Sequence, residues 1–520
     1  MLAEPDDCTH SMLLSLRSAI AVFATIASLA TIASDTTRLQ TLQVTAPEES
    51  NETGEVVEEE HSVSSARISR DQITFYGKQL GVLLSQEAGI QQRQTGGFGS
   101  FSSVTFRGAG SEHTAVYLDG ILLNSGAEPV IDLSTLELLN VESIDLYRGM
   151  SPMQLGHGSI GGAVNLRSLQ TKDSITSTAR LGVGALGRRE LFFNHQGGRQ
   201  QWDWLAGAST SRSDNDYHFV NDNRTPLNPD DDARQQRNNN KAERSALLLK
   251  AGYQPTQSLR TDVLLQAAER TLGVPGLTNA QDNQARYDTS NSQLHLSQTI
   301  NDVYGWNSRH SLYQHTGASH YDDRRGQVGL GAQDIESDTR TLGAKSYWET
   351  FTSHGTVGLS MDYRRESLDS SDRLFGADTY SANRRQLLAT AHLAWFDSSE
   401  QWMLAPAIRW LSIDSRTDNR ATSDQRARSS HFDPQMGLSW RPSEAMSFSA
   451  NAAAYFREPS FGELFGSLGL VNSNPSLEPE AGRNYDLGFR YENANVTLSL
   501  SAFLAQRSQM IVLRCDSRRV

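Results

Sequence analysis

Apolar and polar residues alternate one by one along much of the chain after about Ser168. The clearest stretch is Val357-Gly358-Leu359-Ser360-Met361-Asp362-Tyr363-Arg364, where Val, Leu, Met and Tyr fall on one face and Gly, Ser, Asp and Arg on the other. Val496, Leu498, Leu500 and Ala502 alternate with Thr497, Ser499 and Ser501. Met446, Phe448, Ala450 and Ala452 alternate with Ser447, Ser449 and Asn451, and Leu259, Val263 and Leu265 flank Asp262 and Gln266. A period of two predicts strands with one apolar face. No helical pattern is interleaved, which disfavours an α/β arrangement. A half-buried strand of a soluble sandwich alternates too, but recurrence of roughly ten-residue segments between turns is the pattern of a membrane β-barrel, and roughly 14 to 16 such strands can be traced. The polar inserts Asp214–Arg244 and Asn279–Asn291 suit outer loops, and the connections near Pro255, Trp306 and Pro442 suit tight inner turns. Trp202, Trp204, Trp402, Trp410 and Trp440 stand near strand ends or on outward positions, as an aromatic girdle requires.

The first third reads differently. Val104-Thr105-Phe106, Ala115-Val116-Tyr117-Leu118 and Ser143-Ile144-Asp145-Leu146-Tyr147 each run into a glycine-bearing turn, Arg107-Gly108, Asp119-Gly120 and Arg148-Gly149. This predicts a small, tightly turned β domain. Gln94 to Ser103 is dense in Gly and Ser and predicts a tight loop. Phe98 and Phe101 on it are candidate contact residues, since an exposed ring on a rigid loop offers area at low entropic cost; either ring could equally pack beneath a wall.

Composition narrows the class. With 37% hydrophobic residues and no apolar run of about 18 residues beyond the N-terminus, a bundle of spanning helices is excluded. A net charge of -13 argues against nucleic acid as a partner. Met12 to Ser34, with Arg17, an apolar core from Ala19 to Ala30 and small residues at Ala33 and Ser34, has the layout of an export signal. The residues before Met12 look like an over-long start. Cys8 and Cys515 are not expected to form a disulfide in the exported part. Glu48 to Glu60 predicts a solvated tether. Asp230, Asp231 and Asp232 are weak candidates for a Ca²⁺ site, weaker than an ordinary solvated loop because the alternate-ligand spacing and distal Glu are missing; no cofactor is otherwise expected. His218, His310, His315 and His320 show no metal-ligand spacing. Asp119 lacks the His, Ser or second carboxylate that catalysis would need, and no nucleophile with base and orienter is found, so no enzymatic activity is expected.

The stretch SSVTFRGAG…AVYLDGILLN…VESIDLYRGMSPMQLGHGSIGGAVNLRS resembles the plug domain of TonB-dependent outer-membrane transporters, with Met150 where the family usually has Pro and Gly156-His157-Gly158 in place of Tyr-Gly. FREPSFGELFG (456–466) and NPSLEPE (474–480) resemble barrel motifs of the same family, and Ile73 to Leu84 followed by Gly89-Ile90 resembles the plug's opening helix and strand. The resemblance implies an all-β-dominated membrane protein, an N-terminal α+β plug inside a transmembrane antiparallel β-barrel that in the family has 22 strands. The implied domains are an extension and signal (1–34), a TonB box and acidic linker (35–62), a plug (63–168) and a partial barrel (169–520). Thr41-Leu42-Gln43-Val44-Thr45-Ala46 resembles the TonB box, a β-prone segment suited to adding a strand to a partner's sheet edge. The resemblance also implies that Arg107 and Arg148 latch the plug to wall carboxylates, Asp486 being one, the other lying beyond Val520. Ligand would touch the loops 94–103 and 124–134, with Gln94, Phe98, Phe101 and Asn124 as candidates. Implied partners are the periplasmic domain of TonB, outer-membrane lipid, the barrel assembly machinery and a scarce small solute such as an iron-siderophore, haem or cobalamin. The strand tally and the last ten residues suggest a C-terminally truncated or frame-shifted version. A passive porin or adhesin barrel, or a non-functional receptor fragment, is the alternative.

Overall fold

The computed structural model describes residues 62–512 apart from 77–78, 172–173, 224, 226, 277–282, 329–330, 375–378, 420–424, 467–471 and 494. The export segment with Cys8, the Thr41–Ala46 hexapeptide, the acidic tether and Cys515 lie outside the described residues.

The N-terminal domain opens with β1 (Ser64–Ile68), α1 (Arg70–Tyr76), α2 (Leu80–Leu84), β2 (Ile90–Gln94) and β3 (Ser102–Phe106). It continues through β4 (Thr114–Leu118), β5 (Ile121–Leu122), β6 (Val141–Arg148) and β7 (Gly162–Ser168). Five of these strands form one mixed sheet in the order β1-β6-β7-β4-β5, and β2 pairs with β3 as a separate ribbon. Leu84, Phe106, Ile144, Leu146 and Val164 are fully buried between sheet, ribbon and helices. Arg107-Gly108 and Asp119-Gly120 have φ +49/+73 and +49/+75. Positive φ at both central residues is what a two-residue primed hairpin turn needs, and Asp119-Gly120 closes β4 onto β5 in this way. The Asp119 carboxylate accepts from the Ser168 amide (2.8 Å) and hydroxyl (2.6 Å), tying the turn to the end of β7.

The rest of the chain is a sheet of long strands: β8 (Thr176–Val183), β9 (Arg189–Arg199), β10 (Trp202–Ser213), then after a small hairpin of β11 (His218–Asn221) and β12 (Ala233–Gln236) the strands β13 (Ala242–Thr256), β14 (Leu259–Gly273), β15 (Arg286–Val303), β16 (Trp306–Asp323) and β17 (Gln333–Thr352). It continues with β18 (Gly355–Asp372), β19 (Thr379–Phe396), β20 (Trp402–Asn419), β21 (Gln425–Ser443), β22 (Met446–Arg457), a short helix α3 (Phe461–Phe465), β23 (Glu480–Glu492) and β24 (Thr497–Ser508). Without the β11–β12 pair, 15 strands lie side by side in sequence order, each antiparallel to the next. Among the described residues β8 and β24 each have one neighbour.

Polarity in this wall is inside out. On β18, Leu359 and Met361 are 43% and 54% exposed, whereas Asp362 and Arg364 are 4% and 1% exposed. Such a surface is stable only where the outer face meets lipid. The inward face of strands from β10 to β23 touches the N-terminal domain, so the sheet curves around it: Ser209 of β10 donates to Glu137 (3.0 Å), and Asp486 of β23 pairs with Arg107. Rings stack at the short-turn end, Trp202 on Tyr253, and Trp402, Trp440, Phe448 and Phe489 in succession. Trp410 faces outward at mid-strand, away from this row, and its indole donates to Ser430. The connections between β13 and β14, β15 and β16, and β21 and β22 are short turns at residues 257–258, 304–305 and 444–445. The two outer inserts are shorter than the polar pattern implies. Arg286 to Asn291 already belong to β15, and Ala242 to Arg244 to β13, because strands this long continue past the apolar band with polar residues on both faces.

Candidate functional site

The interface between plug and wall is mainly polar, with two apolar stretches: Leu205, Leu248 and Leu264 of β10, β13 and β14 join the plug's core, and Ala453 and Tyr455 of β22 cluster with Tyr117 and Tyr147. Arg107, in the turn after β3, forms an ion pair with Asp486 of β23, both side chains 7% exposed, and its guanidinium lies over the Phe503 ring. Arg148 does not reach the wall. Its guanidinium donates to Glu87 (3.0 Å) and to the Ala88 carbonyl (3.0 Å), both of the plug, because β6 ends beside the loop after α2. Burial depresses its basicity while Glu87 supports it.

Other wall residues hold the plug as firmly. Glu480 of β23 meets His113 Nε2 (2.5 Å) and Arg457 (2.7 Å). Lys345 of β17 donates to three plug carbonyls, those of Gly120, Gln154 and Leu155, each at 3.0 Å. Lys250 of β13 reaches Ser168 Oγ (3.1 Å) and Gln170 (3.1 Å), Arg270 of β14 pairs with Asp132 (2.5 Å), and Arg244 with Glu137 (2.5 Å). Asn484 bridges the carbonyls of Gly149 (2.5 Å) and Ile160 (2.7 Å).

The candidate ligand residues separate. Phe101 is 39% exposed. Phe98 is half-buried beneath the wall, with Arg188 4.5 Å over its ring and its backbone amide and carbonyl bonded to the Asn215 side chain. Gln94 is exposed and donates to the Gly97 carbonyl (2.9 Å), closing its own loop. Asn124 ties its own loop together: its amide donates to the carbonyls of Thr114 and Pro129, and its oxygen accepts from Val116 N–H. Asp230 and Asp231 sit in a single 3₁₀ turn capped by Asp232, and Asp231 is taken up by the Thr225 hydroxyl. Among the described residues no group of three or more His, Cys, Asp or Glu side chains is arranged to hold a metal ion.

Beneath loop 124–129 a cavity of about 130 Å³ lies between plug and wall. Arg364, Arg384, Arg409 and Arg457 line it, opposed by Glu112, Glu366, Asp433 and Glu458. Most of their bonds run within the wall, Arg364 to Glu366 and Arg409 to Asp433 among them, and three reach the plug: Glu366 accepts from Gly126 N–H, Arg364 donates to the Asn124 carbonyl, and Arg409 binds the Gly156 carbonyl. Arg364 Nε, Arg409 Nη2 and Asp433 Oδ1 retain buried valences without a partner among the described residues, which suits a wet, polar passage. Helix α3 follows Arg457 and Glu458 of the lining. Ser460 and Glu463 form a capping box, Phe461 N–H donates to the Gly126 carbonyl, and Phe461, Leu464 and Phe465 are buried. His157, on the plug side, has its basicity lowered by burial, with Asp362 at 3.7 Å acting in the opposite direction.

A small mixed-sheet domain gripped inside a curved antiparallel wall defines a plugged barrel. The family model described as TonB-dependent Receptor Plug Domain matches residues 57–163, and that described as TonB dependent receptor-like, beta-barrel matches residues 250–519. The chain belongs to the TonB-dependent receptor family.

Among its relatives is the vitamin B12 transporter BtuB of Vibrio vulnificus, 23% identical over 440 residues that make up 82% of this chain and 64% of that protein, so the chain spans less than two thirds of its length. The vitamin B12 transporter BtuB of Photobacterium profundum is 20% identical, over 85% of this chain and 67% of its own. The fold is also that of the copper transporter OprC (TM-score 0.71, 13% identity, 85% of this chain and 72% of that one) and of the unliganded ferric citrate transporter FecA (0.67, 15%, 86% and 70%).

Proposed function

We propose that the protein is an outer-membrane receptor that binds a scarce small solute at its outer loops and admits it when the periplasmic domain of TonB pulls on Thr41–Ala46. The observation that carries this reading is the mainly polar seam between plug and wall. Hydrogen bonds and ion pairs can be exchanged for water at a modest net cost of about 1 kcal/mol each, whereas an apolar interface of the same extent would lock the stopper in place. Force entering from the N-terminus meets β1 first, an edge strand that among the described residues pairs with β6 alone, before it reaches the centre of the plug sheet. The reaction is mechanical, with no covalent step: work done from the inner side loosens the seam, and the solute passes along the lined cavity. The relatives named as transporters of vitamin B12, ferric citrate and copper support a solute in the cobalamin or iron-chelate range.

The test deletes Thr41–Ala46 and measures solute binding and uptake separately in cells offered single sources of iron or cobalamin. Binding retained with uptake abolished is the expected result. Uptake unchanged would turn the reading into a passive pore.

A further inference from the structure

The outward face of the wall carries a second feature, remote from the plug. On β17 to β21 six arginines point away from the lumen, in step with the exposed apolar residues and opposite in parity to the buried Arg364, Arg384 and Arg409. They occupy two adjacent rungs. In the lower, Arg365 stands opposite Arg385, Arg385 opposite Asp414, and Asp414 opposite Arg428. In the upper, Arg340, Ser367, Asn383, Arg416 and Arg426 follow one another strand by strand.

Like charges directly across a strand pair are destabilising, and Arg365–Arg385 and Arg416–Arg426 are two such pairs. One carboxylate serves three of the guanidinium groups: Asp414 pairs with Arg426, with Arg416 at 3.1 Å and with Arg428 at 3.6 Å. Asp338, Asp369 and Asp418 stand one outward position higher, and the six arginines still outnumber these three and Asp414. The same rungs continued across β16 to β14 read Gln314-Leu294-Leu265 and Thr316-Ser292-Ala267, without a charge. The cluster is therefore a local patch on one side of the wall.

Its height is as telling as its sign. The row beneath is Tyr363, Leu387, Ser412 and Ser430, the next is Met361, Ala389, Trp410 and Phe432, and the stacked rings of Trp402 and Trp440 mark the opposite end of the same strands. From Trp402 to Asp414, at about 3.3 Å per residue and a tilt of about 40°, the climb is about 30 Å, just above an apolar band about 25 Å tall. Arginine is tolerated there at little cost, where lipid head groups begin. Guanidinium forks match phosphate oxygens two at a time, and the apolar rows below offer the acyl chains a surface.

We propose that Arg365, Arg385, Arg416, Arg426 and Arg428, with Arg340 at the margin, form a binding site for the phosphate-bearing head group of an outer-leaflet lipid. Across five strands spaced about 4.8 Å apart the patch is about 20 Å wide, enough for a head group with more than one phosphate. The site rests on the membrane-embedded reading of the wall but not on solute uptake, and it can fail while that reading stands.

The test titrates the full chain, folded in detergent, with diphosphoryl lipid A and with the same lipid stripped of its phosphates, and repeats both with the variant R385Q/R426Q/R428Q. Binding of the diphosphoryl form at least tenfold tighter than the stripped form, lost to a similar degree in the variant and not displaced by millimolar inorganic phosphate, is expected. Equal binding of the two lipids by the unaltered protein would overturn the proposal whether or not the variant folds, as would full retention of binding by a folded variant. Displacement by inorganic phosphate would likewise overturn it, showing a site for the free anion.

Discussion

Arg107 and Asp486 are nearly dry, so removing one partner leaves a charge without compensation, at a cost of about 3–5 kcal/mol. Asp486→Asn is expected to loosen the plug by that order, read as lost amide-exchange protection around β3 and β6. Arg107→Met with Asp486→Leu, which removes both charges, should recover most of it. Lys345→Met strands three plug carbonyls at once and should cost about 3 kcal/mol in the same measurement, spread over Gly120 and residues 154–155. His157 gives the plug a pH dependence. Its basicity in the folded state lies below the ordinary 6.5 because burial disfavours the imidazolium, so the unfolded state takes up protons first as pH falls. Its contribution is therefore full above about pH 6.5 and is lost as pH drops through the depressed value. Plug protection should fall as pH drops below about 6.5 in the native protein and change less in His157→Gln; an identical profile in the two would remove His157 from the account.

At the scale of elements, the turn after β6 shows how closely backbone and latch are coupled. Gly149 has φ +75, and a Cβ there would lie 2.6 Å from Asp486 Oδ2 and 2.7 Å from Arg107 Nη1. Gly305, in the turn between β15 and β16, has φ +78 with open space around it. Gly305→Ala should therefore cost only the backbone strain of about 1–2 kcal/mol, and Gly149→Ala should cost that plus the ion pair, visible as exchange at β3 and β6. The strands were legible because lipid reverses which face is apolar without changing the period of two, so Leu359, Met361 and Tyr363 mark β18 as clearly as a soluble core would. β1 was not, since only Ile68 at its end is buried and Ser64, Ser65 and Arg67 carry no alternation. The two Arg-Gly turns look alike in sequence, yet only Arg107 meets the wall, because that depends on where β3 and β6 end in space. Lys345 and Asn484 were invisible for a different reason: they bind backbone carbonyls, which have no sequence signature. Glu480 and its partner His113 are separated by most of the chain.

At the scale of the molecule, one surface faces lipid, one faces the plug, and their chemistries are exchanged relative to a soluble protein. Arg364 and Arg409 are 1% exposed inside, while Met361 and Phe432 are 54% and 59% exposed outside. The seam between plug and wall is mainly polar, and the arginine rungs of β17 to β21 stand just above the outer apolar band. All of this depends on the wall being embedded in a membrane around its stopper. The most direct measurement places single nitroxide labels along β18 and β21 of the protein reconstituted in bilayers, at Leu359, Met361, Met436 and Leu438 and at their neighbours Ser360, Asp362, Gln435 and Ser439. The account predicts that the first four are accessible to oxygen and shielded from water-soluble relaxants, and that the second four are shielded from both. Ready access of a water-soluble relaxant to Leu359 and Met436 would contradict it.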